Sequence, residues 1–148
     1  MKKTLILAAA VVAFSVPAHA ASPDLIADFN TATGTVTVKN DSGVAAGASV
    51  VTIKCQRRKP PVVGGGGGCP EIPRTFMFNY TNPAFPDSLA INVGPLAPGA
   101  VFNHALPFFG GLVFPSGAYA FTVRADAGGA VAESNEANNV IVRTKIVP

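Results

Sequence analysis

Apolar residues in this chain recur at every second position, in seven short runs. Leu25, Ala27 and Phe29 alternate with Ile26, Asp28 and Asn30; Val36 and Val38 alternate with Thr35, Thr37 and Lys39; Val51, Ile53 and Cys55 alternate with Thr52 and Lys54. Later come Leu89, Ile91 and Val93, the stretch 101–106, then Tyr119, Phe121, Val123 and Ala125, and last Val140, Val142 and Thr144. A period of two sends neighbouring side chains to opposite faces of a strand. A helix would need an apolar stripe every third or fourth residue, and no window of a dozen residues supplies one. Each run is rich in Val, Ile, Thr and aromatics and is bounded by Gly, Pro, Asn or Asp. Alternation with one apolar face predicts antiparallel sheets whose outer surface meets water. Seven runs are the number expected of an all-β, two-sheet sandwich.

Turn residues punctuate the runs. Asp41-Ser42-Gly43, Ala97-Pro98-Gly99, Pro115-Ser116-Gly117 and Ala127-Gly128-Gly129 are placed as strand breakers. Positions 56–86 are less regular. They hold Pro60-Pro61, five consecutive glycines at 64–68, and a stretch at 74–80 that reads as an extra strand. Ordering a glycine tract costs much backbone entropy. Two cysteines, Cys55 and Cys69, bracket the tract. Paired, they close a loop of about 15 residues, worth roughly 3 kcal/mol by loop-closure entropy. The disulfide is the favoured reading; a free or metal-binding pair is the alternative, and the spacing is not that of a zinc knuckle.

The first twenty residues have the form of a secretory signal. Met1-Lys2-Lys3 is a positive start, positions 5–16 are apolar, and Pro17-Ala18-His19-Ala20 offers small residues for cleavage. The expectation is a signal peptide at 1–20 and one domain at 21–148, exported to the periplasm or beyond. Lys2 and Lys3 leave with the signal, so eleven basic residues become nine against eight acidic ones. Net charge then falls from +3 to +1. The basic character thus belongs largely to the signal, which argues against a nucleic-acid partner. After residue 20 no apolar run approaches the length of a membrane span.

Several strings form a recognisable set. They are Pro23-Asp24-Leu25, the stretch Thr35-Val36-Thr37-Val38-Lys39-Asn40 followed by Gly43, and Val93-Gly94-Pro95-Leu96-Ala97-Pro98-Gly99. The most specific is the end: Gly117-Ala118-Tyr119, Val123-Arg124-Ala125-Asp126, then Val131-Ala132-Glu133-Ser134-Asn135-Glu136-Ala137-Asn138-Asn139. Together they resemble a bacterial cell-adhesion-related (CARDB) domain, over about positions 23–147. The resemblance implies an immunoglobulin-like antiparallel β-sandwich of about seven strands and a part in adhesion or extracellular binding. The Cys55–Cys69 insert departs from the family's pattern, so its role does not carry over.

Among candidate sites, Asp126, Glu133, Glu136 and Asn138 form a string dense in hard oxygens of the kind calcium takes. The competing and preferred reading is that these side chains close the last hairpin by bonding its backbone. Arg57, Arg58 and Lys59 place three positive charges beside the loop; they could meet an acidic partner or simply keep the loop solvated. Phe108, Phe109, Leu112 and Phe114, with Val113 among them and Gly110-Gly111 between, are unusually apolar for a connection. They are either tucked over the open end of the core or offered to a partner. His104 has no neighbouring acid or nucleophile motif and reads as structural. No catalytic group and no cofactor are expected. The functional expectation is a binding or adhesion-type module for a protein or glycan near the cell surface. A structural component of a surface complex is the alternative.

Overall fold

The computed structural model describes residues 21–58 and 68–148. Residues 1–20, expected to be a signal peptide, and residues 59–67, with Lys59, Pro60-Pro61 and four of the five glycines, lie outside the described residues. Seven strands follow one another: β1 (Leu25–Asn30), β2 (Thr35–Asn40), β3 (Ser49–Arg57), β4 (Leu89–Val93), β5 (Val101–Ala105), β6 (Gly117–Arg124) and β7 (Val140–Val147). One sheet has the order β1-β2-β5 and the other β4-β3-β6-β7, with every pairing antiparallel. The chain crosses between sheets after β2, returns after β4 to lay β5 beside β2, and crosses again to set β6 beside β3. This Greek-key crossing defines an immunoglobulin-like sandwich.

The alternation read in the sequence is the packing rule of the core. Leu25 and Phe29 of β1, Val36 and Val38 of β2, Val51 and Ile53 of β3, Ile91 and Val93 of β4 and Tyr119, Phe121 and Val123 of β6 are buried between the sheets. Register keeps them level: Phe29 stands opposite Val36, and Cys55 opposite Phe121. The Tyr119 hydroxyl donates to the Pro115 carbonyl at 2.6 Å, so the strand enters the core through a tyrosine corner.

Two segments differ from their sequence reading. Residues 74–80 do not form a strand. Arg74–Met77 is one turn of helix, α1, and further turn hydrogen bonds run on to Thr81. The period-two reading grouped Phe76, Phe78 and Tyr80, yet Phe78 is 85% exposed. The helical pair Phe76 and Tyr80, four residues apart, instead brackets Phe108, each ring 5.5 Å from it. In β7 the run Val140, Val142 and Thr144 faces outward, because Ile141, Arg143 and Lys145 pair across from the buried Val123, Phe121 and Tyr119. The inner row can carry charge because it reaches across to the end of β1. Arg143 Nε donates to Asp28 at 2.7 Å, and Lys145 Nζ donates to the Thr31 carbonyl while lying 5.3 Å from the Phe114 ring centroid.

Candidate functional site

At one end of the sandwich the sheets do not close on each other. Phe29 is the penultimate residue of β1, Ile53 and Cys55 belong to β3, Leu89 begins β4, and Phe121 belongs to β6; together they line an apolar cavity of about 300 Å3. The β5–β6 connection forms one wall with Leu106, Phe108, Phe109, Leu112 and Phe114. The other wall is the disulfide Cys55–Cys69 with Ile72, Met77 of α1 and the stretch 86–88. The disulfide forms as expected, with its Cα atoms 6.1 Å apart.

Aromatic rings carry this end. Phe109 lies 5.6 Å from Phe29, 5.6 Å from Phe114 and 5.9 Å from Phe121, in tilted or edge-on contacts of the kind aromatic quadrupoles favour. Phe109 can sit so deep because the β1–β2 turn contains Gly34. A side-chain carbon there would come within 2.2 Å of the ring, and its φ of 71° also favours glycine. The four apolar residues singled out in the sequence therefore come together. Phe108 and Phe109 are buried, Leu112 and Phe114 are half-buried, and all four line one space. Val113 between them is 82% exposed. Among the described residues polar side chains enter the lining only at Asp87 and Ser88, and the Asp87 carboxylate lies 3.5 Å from Lys54 Nζ.

Two residues of the basic trio lie among the described residues. Arg57 belongs to β3; its guanidinium lies over the Tyr119 ring at 5.6 Å and donates to the Ser116 carbonyl. Arg58 is exposed, and Lys59 lies outside the described residues. Both arginines border a second, more polar hollow on the far side of the disulfide, and Cys55 and Cys69 wall both spaces. His104 on β5 is held structurally: its Nε2 is 2.9 Å from the Tyr80 hydroxyl and its ring stacks on Phe102.

The oxygen-rich string lies at the opposite end, where its carboxylates accept hydrogen bonds while the buried Oδ1 atoms of Asn138 and Asn139 have no hydrogen-bond partner among the described residues. Asp126, at a positive φ of 39°, accepts from the Ala130 and Val131 amides at 3.0 and 2.9 Å. Glu136 accepts from the Glu133 amide at 3.1 Å and from Asn139 Nδ2 at 3.1 Å. Glu133 accepts from Asn139 Nδ2 at 3.0 Å and from the Leu25 amide of β1. Asn138 Nδ2 reaches the Asp24 carboxylate at 3.0 and 3.2 Å. The string thus closes its own turn and also ties the β6–β7 connection to the start of β1, which sequence reasoning did not foresee. Burial pushes the Glu133 carboxyl up, against the lowering effect of its bonds to Leu25 and Asn139. Among the described residues no group of three or more His, Cys, Asp or Glu side chains is placed to hold a metal ion.

Sequence reasoning missed half of the cavity wall. Ile72 could have been suspected from its place just beyond Cys69. Met77 and the stretch 86–88 carried no signal, since only the helical turn and the fold-back into β4 aim them inward.

Architecture and register define an immunoglobulin-like sandwich. No protein-family model matches the chain, and no curated protein matches it. Among solved structures it is similar to residues 272–376 of a Methanosarcina acetivorans chain named as a candidate cell surface protein. That match has a TM-score of 0.54 and 17% identity, covering 86% of this chain and 93% of that one. A CARDB domain from Pyrococcus furiosus, crystallised in complex with di-metal ions, matches with a TM-score of 0.48 and 17% identity, over 93% of this chain and all of that one. At 17% identity the Methanosarcina match establishes a shared fold. Among the described residues no helix is long and apolar enough to cross a membrane.

Proposed function

We propose that this chain is an exported, non-catalytic binding module that holds a protein or glycan at or near the cell surface, by the end of the sandwich that carries the cavity. The observation behind this reading is an exposed apolar rim on an ordered aromatic base. Phe78 and Val113 are 85% and 82% exposed, and both adjoin cavity-lining residues, Met77 in one case and Leu112 and Phe114 in the other. Large apolar groups left in water beside a rigid wall are what a partner's surface covers. The signal-like segment at 1–20 and the disulfide fit an oxidising compartment outside the cytoplasm. Among the described residues the lining offers one carboxylate, Asp87, and one hydroxyl, Ser88, with no base arranged beside a nucleophile.

The same exposed rim would serve a structural component of a surface complex, and one experiment separates the two readings. Tagged mature protein is incubated with envelope extract, alongside the double variant Phe78→Ser/Val113→Asp. Capture of a dissociable ligand that the double variant loses is expected. A fixed-stoichiometry complex that survives washing would favour the assembly role. Capture indifferent to both substitutions would remove this end from the binding surface.

A further inference from the structure

We propose that the cavity itself takes a small hydrophobic molecule of about two-ring size bearing an uncharged or cationic head, and refuses the same molecule with an anionic head. This deepens the binding reading above and rests on it for the choice of end. Size follows from volume. A cavity of about 150 Å3 lined by aliphatic and aromatic side chains stays dry and holds one benzene ring, and the space here is about 300 Å3. That also lies at the lower bound of known small-ligand pockets, roughly 300–1,000 Å3.

The chemistry of the body follows from the walls. Phe29, Phe109, Phe114 and Phe121 present ring faces and edges, and Ile53 and Leu106 fill between them, so water entering would find no hydrogen-bond partners over most of the surface. The head is set by the polar edge. Among the described residues Asp87 is the one charged residue of the lining and Ser88 its one hydroxyl, adjacent in the chain. The Asp87 side chain is 79% exposed and faces Lys54 at 3.5 Å. It therefore stands where the cavity meets water, as an acceptor for a hydroxyl or ammonium group. A carboxylate seated there would meet like charge, and no described residue of the lining is a cation, Lys54 lying outside it.

Three probes with one body and three heads test this: 1-naphthalenemethanol, 1-naphthylmethylamine and 1-naphthoate, titrated into purified oxidised protein at neutral pH and followed by naphthalene fluorescence and calorimetry. The alcohol and the amine should bind one to one and saturably, and the naphthoate at least tenfold more weakly. Met77→Trp, a filling substitution on the lid rather than in the inter-sheet core, should abolish binding of all three. Leu112→Phe provides a second filling variant should the first fail to fold. Asp87→Asn should reduce the gap between amine and naphthoate severalfold while leaving the alcohol unchanged. No saturable binding of any probe, or binding that both filling variants leave intact, overturns the site. Equal binding of all three heads overturns the assignment of the head. The titration needs no partner, so its failure leaves capture through Phe78 and Val113 untouched. Loss of that capture, conversely, leaves the cavity result standing.

Discussion

Gly34 and Gly99 share a φ of 71°, but their surroundings differ. A side-chain carbon at Gly34 would overlap the Phe109 ring, whereas at Gly99 nothing lies within 4 Å. Backbone strain alone makes Gly99→Ala cost about 1–2 kcal/mol. Gly34→Ala adds overpacking of about 1–3 kcal/mol, because Phe109 is wedged among Phe29, Phe114 and Phe121 and cannot swing clear. Denaturant unfolding of the two variants should therefore separate them by at least about 1 kcal/mol. Equal losses would mean the aromatic end relaxes freely and the cavity wall is soft. Asn40 is a second residue whose weight comes from its surroundings. Fully buried, its Nδ2 lies 2.7, 3.1 and 3.2 Å from the carbonyls of Val44, Leu96 and Ala97, so one amide pins both crossings at the polar end.

At the scale of elements, the insert between β3 and β4 decides what the cavity end can be. Pro73 opens α1, and the turn places Phe76 and Tyr80 on one side, against Phe108. The disulfide fixes the other limb of the insert to β3, 14 residues apart in sequence. Reduction should cost about 3 kcal/mol or less by loop-closure entropy, with the sandwich still folded, because the buried rows of both sheets lie beyond the insert. Thermal melts with and without reductant, read together with near-ultraviolet dichroism, check this. Complete loss of tertiary signal on reduction would make the insert part of the folding core. β7 carries a different lesson. Its outward Val142 and Ile146 are 43% and 77% exposed, while its inward Arg143 and Lys145 reach β1. An edge strand thus spends its charges on closing the sandwich and leaves apolar groups in water.

For the molecule as a whole, two carboxylates tie the ends of the chain together and give stability opposite dependences on pH. Asp28 joins β1 to β7, and its hydrogen bond to Arg143 holds its carboxyl below the ordinary 3.8. Folding then favours the ionised form. The contribution is fully present above that value and is lost as pH falls below it. Glu133 joins the β6–β7 connection to β1, and burial raises its carboxyl above the ordinary 4.5. Folding there favours the protonated form, so the contribution is present below 4.5 and is lost as pH rises past it. The stability margin of the natural chain over Glu133→Gln should accordingly shrink as pH rises above 4.5. Its margin over Asp28→Asn should instead shrink as pH is lowered through 3.8. Chemical denaturation at a series of pH values reads both slopes, and slopes of the same sign would contradict the burial of Glu133.

The period of two, with its turn residues, determined the seven strands and which rows of β1, β2, β3, β4 and β6 meet in the core. It could do so because strand alternation is a local property, read residue by residue. The pairing of Cys55 with Cys69 was legible for the same kind of reason, as two cysteines bracket one irregular loop. The sandwich that the CARDB resemblance implied is the fold observed. Tertiary structure alone decided the rest. Apolar residues at 76, 78 and 80 fit a strand as well as a helical turn until Phe108 is present to be bracketed. The apolar set of β7 faces water because the opposite row has partners on β1. Met77, Asp87 and Phe109 meet around one cavity although no spacing in the sequence relates them. Long-range packing brings distant segments together only once both sheets exist, and a pattern read along the chain holds no record of it.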